Sequence, residues 1–174
     1  NSPFNPSNPY SGSKASAEMI VNSYRYSFDT PIITVRANNI FGIRQYPEKI
    51  IPKFAMQALT GNRMSVHGDG TNRRSYLAAE DLAEAMILLM REGKIGGIYN
   101  VGSTEEFTNI DIAEMICAHF GLDPKRTIQF VDDRPFNDFR YSIDFAKIAR
   151  LGWKSERRFK ESLPDVLGWY EENK

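Results

Sequence analysis

The sequence has almost no cysteine, no excess of either charge and no long apolar run. Its single cysteine, Cys117, excludes an internal disulfide and a cysteine-rich metal site. Lysine and arginine together number 22, as do aspartate and glutamate, which gives no general attraction to nucleic acid or to an anionic membrane. No apolar stretch approaches the roughly 20 residues that a membrane-spanning helix needs. We therefore expect no metal site, no nucleic-acid partner and no membrane partner.

A glycine-rich fingerprint of the form G-x-x-G-x-x-G is also absent. In a doubly wound nucleotide-binding fold, this motif belongs to the first turn between strand and helix. The sequence begins with Asn1, Ser2 and Pro3 and not with methionine. The expectation is therefore that the chain is cut from a longer protein and lacks its N-terminal half.

Strand-like and helix-like segments alternate along the 174 residues, of which 41% are hydrophobic. Alternation with an adequate core predicts the α/β class, as one domain or part of a larger one. The predicted helices cover 10–28, about 52–61, 80–93, 108–121, 144–150 and 159–172, and the predicted strands cover 32–35, 64–67, 73–77, 97–101 and 127–131. Asn38 and Asn39 follow a predicted strand, where ligands bind in an open α/β sheet; the alternative without a ligand is a turn. Residues 132–140 are predicted to form a polar loop.

Three of the predicted helices have further sequence features, which concern capping, burial and apolar periodicity. Thr108 and Asp111 have the spacing of a capping box, and Gly121 is placed to end the same helix. Cys117 lies among apolar neighbours and is predicted to be a buried thiol, whereas His119 is predicted at the surface. Apolar residues recur near the helical period in two helices. The series are Ala15, Met19, Ile20, Tyr24 and Phe28 in the first, and Leu82, Ala85, Met86, Leu89 and Met90 in the third.

Tyr10 and Lys14 stand four residues apart at the head of the first predicted helix, so they share one face. A free tyrosine has a pKa near ~10, which is too high for a base at neutral pH. A nearby cation favours the phenolate, and a shift of ~3 units requires ~4 kcal/mol. The pair can therefore act as a base and its activator. The same spacing also recurs by chance on many solvated helix faces, and the pair alone does not establish a site.

Six stretches carry a stronger signal together than any one of them does. They are NPYSGSKASAE, ANNIFG, YPEKIIPKF, HGDGTNRRSYL, IYNVG and VDDRPFNDFRY. In this order, and over nearly the whole chain, they resemble the nucleoside-diphosphate-glucose 4,6-dehydratases of the extended short-chain dehydrogenase/reductase family. The first two are shared with many sugar-nucleotide epimerases, whereas YPEKIIP and DRPFNDFRY are more specific to the dehydratases. The chain looks most like eukaryotic members, including the first domain of plant rhamnose synthases.

The resemblance implies the C-terminal half of a Rossmann-type fold. Residues 1–45 would be the remnant of the NAD-binding domain, and 46–174 mainly the sugar-nucleotide-binding domain. The implied reaction converts dTDP- or UDP-glucose to the 4-keto-6-deoxy sugar nucleotide with NAD as cofactor, in a cytoplasmic homodimer. The first helix of this chain would pack against its twin in that dimer.

The resemblance also implies a mechanism. Tyr10 would take the proton from the glucose 4-OH while hydride leaves C4 for NAD, and Lys14 would hold the nicotinamide ribose. Water is then lost across C5–C6, and the hydride returns to C6. The acidic pair for this elimination and the NAD-binding glycines would lie in the missing half, so the chain by itself is not expected to turn over.

A substrate pocket is implied as well. The implied contacts are Asn38 with substrate and cofactor, Lys49 and Ile50 with the nucleotide, His67 with the base, Arg74 and Arg134 with the diphosphate, and Asn100 and Asn137 as secondary polar contacts. Tyr141 would be a structural neighbour of the Arg134 loop, and Asp132 and Asp133 would cap and orient that loop. Arg73 is expected to be solvated, and a solvated pair of Arg73 with Arg74 remains an alternative.

Two other functions remain open. A related epimerase or reductase half shares the Tyr10 and Lys14 motif but does not require YPEKIIP or DRPFND. A truncated, non-catalytic module could hold a nucleotide sugar or a partner. The sequence encoded upstream of Asn1 would discriminate them, by the presence of a glycine-rich turn and an acidic elimination pair. The sequence does not separate UDP from dTDP.

Overall fold

The computed structural model describes residues 4–133 and 139–173. In these residues helices and strands alternate, as the α/β class requires. The helices are α1 Pro9–Phe28, α2 Ile50–Leu59, α3 Ala79–Glu92, α4 Asn109–Phe120, α5 Pro124–Thr127, α6 Ala146–Ala149 and α7 Phe159–Glu172. The strands are β1 Thr34–Ala37, β2 Asn39–Phe41, β3 Met64–His67, β4 Arg73–Ala78, β5 Ile98–Val101, β6 Glu106–Thr108, β7 Ile128–Val131 and β8 Arg140–Tyr141.

The strands form three separate hydrogen-bonded groups in the described part of the chain. β1 and β5 are parallel, with Ala37 opposite Val101 at their carboxyl ends. β3 and β7 are parallel, with His67 opposite Val131. β4 is the centre of the largest group, where it pairs with β2 and β8 in parallel and with β6 in antiparallel orientation. The parallel pairs bring several carboxyl ends of strands, and the residues that follow them, to common edges.

Local capping fixes where two helices begin. Asn8 is extended before Pro9, and it forms a capping box with Ser11 at the start of α1. The capping box predicted for Thr108 and Asp111 is confirmed at the start of α4. Gly121 ends α4 with φ 66°, in the left-handed region that glycine adopts without a steric penalty.

Apart from Ala15, the apolar series of α1 faces solvent in this structure. Met19, Ile20, Tyr24 and Phe28 are between 55% and 70% exposed, and no described residue of α1 is buried. The half-buried residues of α1 lie on another face and are mostly polar: Ser11, Gly12, Ala15, Glu18, Asn22 and Arg25. The helix therefore rests on the rest of the chain through polar contacts, and its apolar face is left for another surface.

The strand and turn predictions need three corrections. The first strand begins at Thr34 instead of Ile32, and the alternative of a turn at Asn38 and Asn39 is wrong because β2 starts at Asn39. The backbone N–H of Asn38 donates to the backbone oxygen of Val101 at 3.1 Å. This bond keeps the backbone extended between β1 and β2. Residues 106–108 and 140–141 form the short strands β6 and β8, which have too little apolar pattern to be seen in sequence.

Two hydrophobic clusters form the core. In the first, the Phe159 ring of α7 lies 4.8 Å, centroid to centroid, from each of the Phe41, Tyr76 and Phe107 rings. The second lies between α3, β5 and the segment around Trp153. Only part of the apolar series predicted for α3 is buried there, because Met86 and Met90 are 49% and 84% exposed.

Two predictions about single residues can also be checked. Cys117 is fully buried and free, as predicted, and burial raises the pKa of its thiol. His119 lies at the surface of α4, as predicted. Among the described residues, no helix is both long and apolar enough to cross a membrane, and no group of three or more His, Cys, Asp or Glu side chains is placed to hold a metal ion. The division of the chain at residue 45 remains a prediction.

Candidate functional site

Tyr10 and Lys14 lie in the first two turns of α1, at the end that the Asn8 capping box fixes. Their spacing places the two side chains on one face of the helix, one turn apart. The Tyr10 side chain is 74% exposed, and Lys14 is also exposed. Both groups are therefore accessible to a ligand that lies across the start of α1.

Asn38 lies just beyond β1, at the carboxyl end of the parallel β1–β5 pair. It is 6% exposed, and its side-chain Nδ2 has no hydrogen-bond partner in the part of the chain that the structure describes. Its Oδ1 lies so close to Gly102 that a Cβ at position 102 would overlap it. Because a buried amide donor without a partner is costly, this group has the character of a ligand contact.

A bidentate ion pair connects α1 to β1. Arg36 Nε donates to Glu18 Oε2 at 3.0 Å, and Arg36 Nη2 donates to Glu18 Oε1 at 2.6 Å. Glu18 is one helical turn from Lys14, and Arg36 is two residues before Asn38. The ion pair therefore sets the position of the Tyr10–Lys14 face relative to Asn38.

Asn100 lies on β5, with its Cα opposite Arg36 in the parallel pair. Its side-chain Nδ2 donates to the backbone oxygen of Asp144 at 2.8 Å, and this bond holds the segment before α6 against β5. The structure brings Asn100 to the same edge as Asn38. Its proposed contact with substrate stays a prediction, since one of its amide protons is already engaged.

Arg73 and Arg74 are neighbours on β4 and point to opposite faces of the strand. Arg73 is exposed, as predicted, and Arg74 is half-buried. Arg74 Nη1 donates to the backbone oxygen of Arg73 at 2.7 Å. The difference in burial separates the two residues and argues against an equivalent solvated pair.

His67 ends β3, next to a tight turn. Its Nδ1 lies 3.1 Å from the backbone oxygen of Asp132, across the parallel β3–β7 pair. In the following turn the side chain and backbone amide of Thr71 donate to Asp69, and these bonds lower the pKa of the Asp69 carboxyl. His67 and residues 132–133 therefore form a second polar group at the carboxyl end of a parallel strand pair.

Lys49 and Ile50 stand at the start of α2. Lys49 is the N-terminal capping position, and its ammonium pairs with Glu48 at 2.8 Å on the exposed surface. Ile50 is partly buried against the first hydrophobic cluster, so it has a packing role whether or not it contacts a nucleotide. Arg134 and Asn137 lie outside the described residues, as does the Tyr141 side chain.

A large open depression lies elsewhere on the surface. It has a volume of about 450 Å³ and is lined by residues 103–105 and 154–158. None of the site residues predicted from sequence is among this lining. The candidate site is therefore defined by the residues of α1, β1 and β5 that the Glu18–Arg36 ion pair and the β1–β5 pairing connect, and not by this depression.

Comparison with known proteins identifies the family. The family model described as GDP-mannose 4,6 dehydratase matches residues 1–166. The chain belongs to this dehydratase family. The resemblance inferred from the six sequence stretches is thereby confirmed.

Individual members of the 4,6-dehydratase group are similar over nearly the whole chain. A trifunctional UDP-glucose 4,6-dehydratase/UDP-4-keto-6-deoxy-D-glucose 3,5-epimerase/UDP-4-keto-L-rhamnose-reductase of Arabidopsis thaliana is 48% identical over 97% of this chain and 25% of its own length. The dTDP-D-glucose 4,6-dehydratase of Dictyostelium discoideum is 39% identical over 98% of this chain and 47% of its own length. The chain thus spans half or less of these two relatives.

A solved structure confirms the fold. The dTDP-glucose 4,6-dehydratase from Streptomyces venezuelae, crystallised with NAD bound, superposes with a TM-score of 0.95 at 33% identity. The match covers 99% of this chain and 54% of that one. The chain therefore has the fold of the C-terminal part of a dehydratase of the extended short-chain dehydrogenase/reductase type.

Three residues around the candidate site were not predicted from the sequence. Glu18 and Arg36 were not singled out, although a glutamate four residues after Lys14 was a visible signal. Gly102 entered only as the last residue of the IYNVG stretch, whereas the structure shows that it makes room for the Asn38 side chain. All three connect segments that are distant in sequence.

Proposed function

We propose that this chain is the C-terminal half of an NAD-dependent dehydratase that converts dTDP- or UDP-glucose to the 4-keto-6-deoxy sugar nucleotide. The observation that carries the proposal is the exposed Tyr10–Lys14 face, which the Glu18–Arg36 ion pair connects to Asn38. The similarity to UDP-glucose and dTDP-glucose 4,6-dehydratases supports the substrate class. The cytoplasmic homodimer implied by the resemblance is part of the same proposal.

The residues present fit a nicotinamide cofactor beside a sugar. Asn38 offers a buried amide donor without a partner in the described residues, and Lys14 offers an exposed ammonium one turn from the Tyr10 phenol. NAD bound there would supply the hydride acceptor for the sugar carbon. Tyr10 would hold and move the proton of the sugar 4-hydroxyl, and Lys14 would favour the phenolate and hold the cofactor ribose.

The direct test is the reaction of the longer protein. The protein that contains this chain should convert dTDP-glucose or UDP-glucose to a product with a 4-keto group and a C6 methyl group, without net consumption of NAD. Mass spectrometry and NMR of the product check this. Formation of the 4-epimer with C6 hydroxylated would instead identify an epimerase, and failure to change either sugar nucleotide would contradict the proposal.

Arg74→Ala should weaken binding of the nucleotide sugar by ~1.5–3 kcal/mol, the value of a hydrogen bond to a charged group. The same change should leave the affinity for NAD nearly unaltered, because the cofactor site lies mostly in the other half. Arg134→Ala is expected to act in the same way. Calorimetry on the longer protein measures both affinities.

Arg73→Ala is the matched control for this prediction, since Arg73 is the adjacent arginine on the same strand and is exposed. It should change neither affinity measurably. Equal losses for both ligands in Arg74→Ala would show damage to the fold and not to a diphosphate contact.

The isolated 174-residue chain should self-associate and bind NAD negligibly. The exposed apolar face of α1 would drive association, and the dinucleotide fingerprint is absent from the chain. Sedimentation and NAD titration check the two parts. Ile20→Glu should reduce the association, whereas Ile95→Glu should not, although the two isoleucines are 58% and 57% exposed. A stable monomer that binds NAD tightly would contradict this prediction.

A further inference from the structure

Glu18 stands one helical turn beyond Lys14 on α1. Lysine and glutamate at this spacing are neighbours on a helix and commonly form an ion pair. Here the Glu18 carboxylate instead binds Arg36 of β1 through both of its oxygens, at 3.0 and 2.6 Å. The Glu18 side chain is 12% exposed and that of Arg36 is 39% exposed, so the pair is partly shielded from solvent.

Arg36 is a stronger partner for this carboxylate than Lys14. A planar guanidinium fork matches the two oxygens of a carboxylate, whereas an ammonium acts as a point charge. The Arg36 guanidinium carbon also lies 5.0 Å from the centre of the Phe4 ring. This contact helps to hold the guanidinium group in its orientation. Among the ion pairs of the described residues, none includes Lys14.

Glu18 and Arg36 are the charged partners whose ion pair lies one helical turn beyond Lys14. Of these two described groups, Glu18 carries the negative charge. It is therefore the group that would neutralise the Lys14 ammonium if Arg36 did not hold it.

We propose that Arg36 is a positioning residue that keeps the Glu18 carboxylate away from Lys14, so that the Lys14 ammonium remains available to the Tyr10 phenol. The inference rests on the proposed function of Tyr10 and Lys14. A cation near a phenol favours the phenolate, and a carboxylate paired with that cation cancels much of the effect. Without Arg36, Glu18 pairs with Lys14, and the ammonium no longer acts fully on the Tyr10 phenol.

The test measures the pH profile of kcat/KM for the longer protein. A base must lose its proton before it can act, so its ionisation sets the acidic limb of the profile. In Arg36→Gln we expect the acidic limb to shift to higher pH by about one unit. At pH values below the limb, kcat/KM should fall about tenfold. Adding Glu18→Gln should return the limb to near its original position, because the competing carboxylate is gone.

The double variant separates this role from a merely structural one. A structural ion pair predicts that the double variant is no better than Arg36→Gln. That result, or an unshifted limb in Arg36→Gln, would overturn the proposal. If Arg36→Gln does not fold, Arg36→Lys keeps the charge but loses the fork, and its smaller upward shift should again be reversed by Glu18→Gln; absence of that shift would equally overturn the proposal.

Tyr10→Phe distinguishes the two levels of inference. If it retains the wild-type rate, the proposed function of Tyr10 fails, and the role of Arg36 fails with it. If Tyr10→Phe is impaired while the Arg36→Gln profile is unchanged, the role of Arg36 alone is wrong.

Discussion

Replacing Tyr10 by Phe in the longer protein should slow the dehydratase reaction ~100-fold or more. This is the range for the loss of a positioned acid–base group. The change removes one oxygen from a side chain that is 74% exposed, so it should leave the folded structure and the cofactor content unaltered. Steady-state kinetics at saturating sugar nucleotide measure the effect on kcat.

Tyr26→Phe provides a matched control for Tyr10→Phe. Tyr26 lies on the same helix and is 75% exposed, but it is near the other end of α1, where Arg25 stacks on its ring at 4.3 Å. It should retain the wild-type rate. A wild-type rate in Tyr10→Phe would remove Tyr10 from the mechanism, and equal losses in both variants would indicate damage to α1.

Asp81→Ala should destabilise the longer protein by about 3 kcal/mol, at the lower end of the range for breaking a buried ion pair. Asp81 is fully buried in the first turn of α3. Its carboxylate accepts hydrogen bonds from Ser155 Oγ, from the backbone amides of Glu156 and Arg157, and from the Arg157 guanidinium. The lower end applies because the Arg157 side chain is 37% exposed and can be rehydrated.

Urea unfolding of the longer protein measures the loss for Asp81→Ala. Asp165→Ala is the control, because Asp165 is an exposed aspartate on α7. It should change the free energy of unfolding by no more than about 0.5 kcal/mol, as is usual for a surface substitution. Equal stability of Asp81→Ala and the wild type would show that the buried carboxylate does not hold residues 153–157 to α3.

The parts of the fold that were predicted correctly depend on local chemistry. A capping box joins two residues that are three positions apart, so the start of α4 at Thr108 and Asp111 could be predicted from the sequence. The wrong turn at Asn39 shows the opposite case. Asparagine tolerates turns, but here the Asn39 backbone pairs with Tyr76 of β4. A partner 37 positions away cannot be recognised from the residues around Asn39.

Some residues of the candidate site could be predicted from local sequence, whereas features of others were seen only in the structure. The Tyr10–Lys14 pair could be found because a helix brings residues four apart onto one face. The resemblance assigned Arg74 to the diphosphate and Arg73 to solvent, and the structure added that Arg74 is half-buried whereas Arg73 is exposed. Asn38 was assigned from the resemblance, whereas only the structure shows that its Oδ1 packs against Gly102 and that its buried Nδ2 has no partner among the described residues.

The sequence by itself determined the α/β class, the capped start of α4 and the motif order that indicates the dehydratase family. These depend on neighbours within about one helical turn or on the linear order of motifs. Only the tertiary structure decided that Glu18 binds Arg36 instead of Lys14, that Asp81 is buried, and that the apolar face of α1 is exposed. The physical reason is that hydrogen bonding and burial depend on which distant segments meet.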